Sequence, residues 1–216
     1  MNVAVPKLQH HFEDIPKQAH AARLGMWLFL GSEALFFSGL FTFYAGYRAH
    51  HPEIFRLGVA HNDLVLGTVN TFILLTGSLL ISLALWALRA GHRTLAVLLT
   101  ACTALAGVVY LVVKGAEWGR HMSEGIFPGG RGDFFVENPE PAWAVFYTAY
   151  YGITGFHAIH VTVGVCILGW TAWWMHRERV GPAAAYKLAI VSLYWHFVDI
   201  VWLFLWPLFY LLRNPA

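Results

Sequence analysis

The sequence predicts an all-α fold: an integral membrane bundle of five transmembrane helices. Three observations carry this. Of 216 residues, 58% are hydrophobic and only 12% are charged, where a soluble domain carries about a quarter charged residues. The charges gather in short stretches instead of alternating with apolar residues. Between those stretches lie five apolar runs, at 24–47, 64–88, 95–113, 142–175 and 186–212, and roughly 20 apolar residues are enough to cross about 30 Å of hydrocarbon.

Taken in order, residues 1–23 read as a polar N-terminal tail with Pro6 and Pro16, extended or partly ordered at the surface. The tail has no apolar core of a cleavable signal, so the first span is expected to direct insertion. The transmembrane domain then runs over 24–212. Its first span is followed by a polar connection, 48–63. The second and third spans are separated by "RAGHR", which is so short that they must be antiparallel neighbours. After the third span comes a connection of about thirty residues, from Lys114 to Trp143, rich in Gly, Pro and acidic side chains. The fourth run is long for one crossing, and a tilt or an interfacial first turn at "AWAVFYTAYYG" would absorb the excess. Pro207 is expected to kink the fifth span. The chain shows no internal repeat and no second domain.

Lys and Arg in the flanking loops set orientation. Lys7, Lys17, Arg23, Arg89, Arg93, Arg177, Arg179 and Lys187 fall on one side, eight residues. Arg48, Arg56, Lys114, Arg120, Arg131 and Arg213 fall on the other, six residues. The N-terminus is therefore expected in the cytoplasm and the C-terminus outside. Cys102 and Cys166 lie inside different apolar runs, where cysteine packs as a small hydrophobe, and no disulfide is expected between them. A net charge of +2 gives no reason to expect a nucleic-acid partner.

Ionisable residues within a span are rare, face protein or water, and mark function by default. Here they are Glu33 in the first run, His157 and His160 in the fourth, and His196 and Asp199 in the fifth, with Glu117 at or just beyond the end of the third. Residues three or four apart share a helix face. Thr154, His157, His160 and Gly164 then form one stripe, Ser192, His196 and Asp199 another, and Thr71, Ser78 and Ser82 a third beside Gly77. Small and polar seams of this kind let membrane helices pack closely. Glu33 needs a partner on such a seam, and a histidine of the fourth or fifth span is the obvious candidate.

Three readings are open for these residues. They could be metal ligands, since two or three histidines with a carboxylate make a plausible set. They could relay protons. Or they could form an interhelical hydrogen-bond network that fixes packing. The last is preferred, and no catalytic residue, metal ligand or cofactor ligand is assigned. Nine of the twelve histidines fall in the tail and loops: His10, His11, His20, His50, His51, His61, His92, His121 and His176. Haem and copper centres commonly use several histidines together, which three within the spans cannot supply for both. There is no CxxCH motif for covalent haem.

Four stretches, "GMWLFLGSEALFFSGLFTFYAGYR", "NTFILLTGSLLISLAL", "GITGFHAIHVTVG" and "YWHFVDIVWLFLWPLFYLL", resemble subunit III of the haem-copper terminal oxidases. The likeness runs from about Leu24 to Leu212 and is to the five-helix form, which lacks the first two spans of the seven-helix form. It implies a non-catalytic subunit that binds no haem or copper itself. Such a subunit packs on the catalytic subunit I among the other subunits of a respiratory complex, where haem and copper reside. It stabilises subunit I, can hold phospholipid, and assists proton translocation, in a bacterial-type inner membrane. Glu33 matches the family's buried glutamate. His157, His160, His196 and Asp199 match its buried polar positions, and Glu117 its glutamate after the middle helix. A cytochrome c oxidase is the first expectation. A quinol oxidase or nitric oxide reductase partner is the alternative, and a freestanding proton-coupled transporter is the reading from another class.

Overall fold

The computed structural model describes residues 13–178, 180–181 and 185–213. The expectations that rest on Lys7, His10, His11 and Arg179 lie outside the described residues. Within them the chain is helical, with five helices long and apolar enough to cross a membrane.

Helix α1 spans Ile15–His50 and starts well before the first apolar run. Asp14 caps it, accepting from the Lys17 N–H at 2.7 Å, and Pro16 stands in the first turn, where its missing N–H costs nothing. The polar connection after it is ordered as α2, Pro52–His61, again opened by a proline. Helix α3, Leu64–Arg89, is capped by Asp63, whose carboxylate accepts from Val65 at 2.9 Å and Leu66 at 3.1 Å. The predicted tight connection follows. His92 N–H reaches back to Ala87 at 2.8 Å and Gly91 N–H to Leu88 at 3.1 Å. This closure needs a left-handed residue, and Gly91 supplies φ +85°.

Helix α4 covers Arg93–Ser123, ten residues past the apolar run that announced it. Lys114, read as a loop residue, and Glu117, expected at or just beyond the end of the third span, are buried helical residues. A short helix, α5 (Asp133–Glu137), sits in the following connection. Helix α6 is one unbroken helix, Pro141–Arg177. Helix α7, Ala185–Trp206, passes at Pro207 into a π-helical turn, Pro207–Leu211, in which Leu212 N–H bonds the Pro207 carbonyl at 3.2 Å. Proline cannot donate to the preceding turn and clashes with it. The chain widens there, which turns Phe209 and Tyr210 inward, both fully buried.

Helices α3 and α4 pack most extensively; α6 lies on α4, α7 on α3 and α6, and α1 on the outside against α7 and α6. Of α1 only Leu30, Phe37 and Tyr44 are buried, a seam one residue wide repeating every seven. The bundle closes on Trp195 of α7, which is 0% exposed. A Cβ added to Gly77, Gly107 or Gly164 would lie 3.4, 2.8 or 3.1 Å from its ring. Three helices thus contribute a bare backbone surface to seat one indole, the close approach that small residues permit in membrane bundles.

Candidate functional site: polar clusters inside the bundle

The buried residues of α4 are Ala96, Thr100, Thr103, Gly107, Tyr110, Lys114, Glu117 and His121. Steps of four and three alternate along the whole helix, the seam a helix shows to its neighbours. The seam begins with small residues and ends with charged ones. At its charged end, Lys114 Nζ lies 3.2 Å from Glu117 Oε2 and donates to the hydroxyls of Tyr150 at 2.9 Å and Tyr210 at 2.7 Å. Tyr150 donates onward to Glu117 Oε1 at 2.8 Å, and Tyr210 lies 2.8 and 2.9 Å from the two carboxylate oxygens. Lys114 and Glu117 are each 1% exposed. The ammonium also sits 4.5 Å from the centre of the Tyr150 ring. Three donors of Lys114 are used, and both carboxylate oxygens are satisfied. Such completeness is what makes a buried ion pair tenable. Tyr210 reaches it because the π-helical turn aims it inward.

The histidines of α6 part company. His160 Nε2 meets Glu33 Oε2 of α1 at 3.0 Å, while its Nδ1 meets the Phe156 carbonyl at 2.7 Å. A carbonyl only accepts, so Nδ1 carries a proton. His157, one turn earlier, is fully buried between Tyr110 and Trp202, with ring centroids at 5.6 and 5.2 Å. Neither of its nitrogens, nor the Tyr110 hydroxyl, has a hydrogen-bond partner among the described residues.

A third cluster joins α3 to α7. Ser78 donates to Asp199 and lies 2.8 Å from His196 Nδ1. Trp202 Nε1 donates to Thr71 at 3.0 Å across the same interface. The predicted seams on these helices therefore meet one another. Glu33, His160, His196, Asp199 and Glu117 each have a polar partner, but in three separate clusters. They do not converge with His157 on one point, as a shared metal would require. The sequence reading missed Lys114, Tyr150 and Tyr210. The four–three spacing that carries Tyr110 on to Lys114, Glu117 and His121 was the signal for them.

Between the spans, Asp63 accepts from Arg120 at 2.8 Å. Partial burial raises its pKa, but the Leu66 and Val65 N–H groups and the guanidinium outweigh this and hold the carboxyl below its ordinary value.

A multi-pass membrane protein with its ionisable residues gathered in closed interhelical clusters is the class this fold and these sites define. The chain belongs to the cytochrome c oxidase subunit III family, whose family model matches residues 9–213. The cytochrome c oxidase subunit 3 of Synechocystis sp. is 30% identical over 190 residues, covering 87% of this chain and 74% of that one. The quinol oxidase subunit 3 of Bacillus spizizenii is 28% identical over 190 residues, covering 88% and 86%. A protein of Aeropyrum pernix named "Heme-copper oxidase subunit I+III" is 28% identical over 216 residues; 97% of this chain matches, against 25% of that protein's length. Its relatives are thus third subunits of both cytochrome c and quinol oxidases.

Proposed function

We propose that this chain is the non-catalytic subunit III of a proton-translocating haem-copper terminal oxidase, docked on a catalytic subunit I that carries the haem and copper. The observation that carries this reading is the family match over nearly the whole chain. It is supported by a relative whose name joins subunits I and III. The polar clusters fit a packing role: Glu33, His160, His196, Asp199 and Glu117 tie helices together through short side-chain contacts. Cytochrome c is the preferred electron donor of the complex, and quinol is the second reading, favoured by the Bacillus relative.

The proposed location is a bacterial plasma membrane with the N-terminus cytoplasmic. The Lys and Arg count of the segments flanking the spans, eight against six, supports that orientation. A mainly apolar groove between α1 and α6–α7, lined by Met26, Phe29, Ile159, His160, Val163 and Tyr194, suits a phospholipid acyl chain. Purification of the chain from its native membrane in mild detergent tests the proposal. A haem spectrum and a large polytopic partner are expected, and the haem type and donor assay separate cytochrome c from quinol oxidase. A colourless chain isolated alone and stable overturns it in favour of a transporter.

A further inference from the structure

At the end of the bundle where α2 and α4 finish, three side chains come together that none of the clusters above uses. One ring nitrogen each of His61 and His121 and a carboxylate oxygen of Glu124 all lie within 4.8 Å of one another. His61 Nε2 is 2.8 Å from Glu124 Oε2, and the two imidazoles stack with centroids 5.6 Å apart. His121 is 2% exposed and its Nδ1 has no hydrogen-bond partner among the described residues. An imidazole buried with an unused nitrogen costs free energy that a ligand would recover. The ring is held in place by Tyr150, centroid to centroid at 5.4 Å. The side chains of His61 and Glu124, by contrast, are 38% and 40% exposed, so the group opens to water on one side.

We propose that His61, His121 and Glu124 form a binding site for one divalent transition-metal ion of the zinc class. Two neutral imidazoles and a carboxylate are a donor set such ions take, with a fourth position left for water. Donors around a tetrahedral zinc sit about 3.3 Å apart, so His61 and Glu124 need only small rotations to close on an ion anchored by His121. Both histidines stand in the last turn of their helices, where the partial negative charge of the helix end favours a cation. The neighbouring guanidinium of Arg120 is engaged by Asp63 at 2.8 Å, which offsets its repulsion. An ion here would cross-link α2 to the end of α4. This inference does not depend on the oxidase reading.

The test uses the full chain in lipid nanodiscs, stripped with chelator and titrated with Co2+ and then Zn2+. His10→Ala and His11→Ala are made first, to remove the adjacent histidines of the tail. One equivalent of Co2+ should bind with the visible bands of a four-coordinate site and be displaced by Zn2+. His61→Ala and Glu124→Gln should each weaken binding by at least about tenfold, with Glu33→Gln as the unaffected control. Absence of saturable binding, or binding that survives both substitutions, overturns the proposal. Should a variant fold poorly, X-ray absorption of the zinc-loaded chain carrying only His10→Ala and His11→Ala decides. Two imidazoles and an oxygen are expected, and fewer than two imidazoles refute it.

Discussion

His160 on α6 and Glu33 on α1 meet at 3.0 Å, a side-chain hydrogen bond across an interface where α1 otherwise buries only Leu30, Phe37 and Tyr44. Replacement of Glu33 by Ala should therefore loosen α1 selectively, by about 0.6–2 kcal/mol. Thermal unfolding in detergent and the yield of chain bound to its partner measure this. Glu33→Gln, which keeps an acceptor, should recover most of the loss. Unchanged melting and association for Glu33→Ala would count against the joint.

Lys114 and Glu117 should behave as one unit. Removing either alone, as Lys114→Met or Glu117→Leu, strands a buried charge and should cost about 3–5 kcal/mol. The double variant should regain part of it, because no charge is left stranded, although the buried hydroxyls of Tyr150 and Tyr210 lose these partners. A double-mutant cycle by thermal melting reads the coupling. Additive losses would show that the charges do not depend on each other.

The seat of Trp195 predicts a positional contrast among glycines. Gly107→Leu drives a side chain into the indole and should abolish stable folding. Gly39→Leu on α1 meets nothing within 4 Å and should melt as wild type. Trp195→Ala leaves the socket void and should lose about 3–5 kcal/mol. Equal melts for the two leucine variants would contradict the socket.

Asp63 gives a pH signature. Its folded-state pKa lies below the unfolded value. The stabilisation is thus present above the ordinary carboxylate pKa of about 3.9 and is lost as pH falls through the lower folded value. Asn keeps the helix cap but not the charge on Arg120. Asp63→Asn should therefore melt slightly lower than wild type near neutrality, by less than about 1 kcal/mol for so exposed a pair. The difference should vanish in strong acid. A gap that persists there would point to the cap instead of the ion pair.

The five spans were legible because hydrocarbon solvent imposes one requirement, length of apolar run, that composition alone reveals. The small and polar seams on α3, α6 and α7 were legible from spacing, and so was the need of Glu33 for a histidine. Which histidine was not, because His157 and His160 lie one turn apart and only the docking of α1 gives one a carboxylate and the other two aromatic rings. The charged end of α4 was illegible for a different reason. A lysine after an apolar run reads as the membrane boundary, and nothing nearby in sequence announces that Tyr150 and Tyr210 will surround it. The approach of His61 to His121 was hidden likewise: each sits in a polar stretch, and sixty residues separate them.

The indole of Trp195 also bears on biogenesis. Its three glycine walls are made from α3, α4 and α6, which the ribosome delivers first, while the plug arrives on α7. A nascent chain halted before α7 would leave that niche unfilled in the bilayer, where lipid tails or a chaperone must occupy it. The order of synthesis thus makes arrival of α7 the step that closes the niche between α3, α4 and α6.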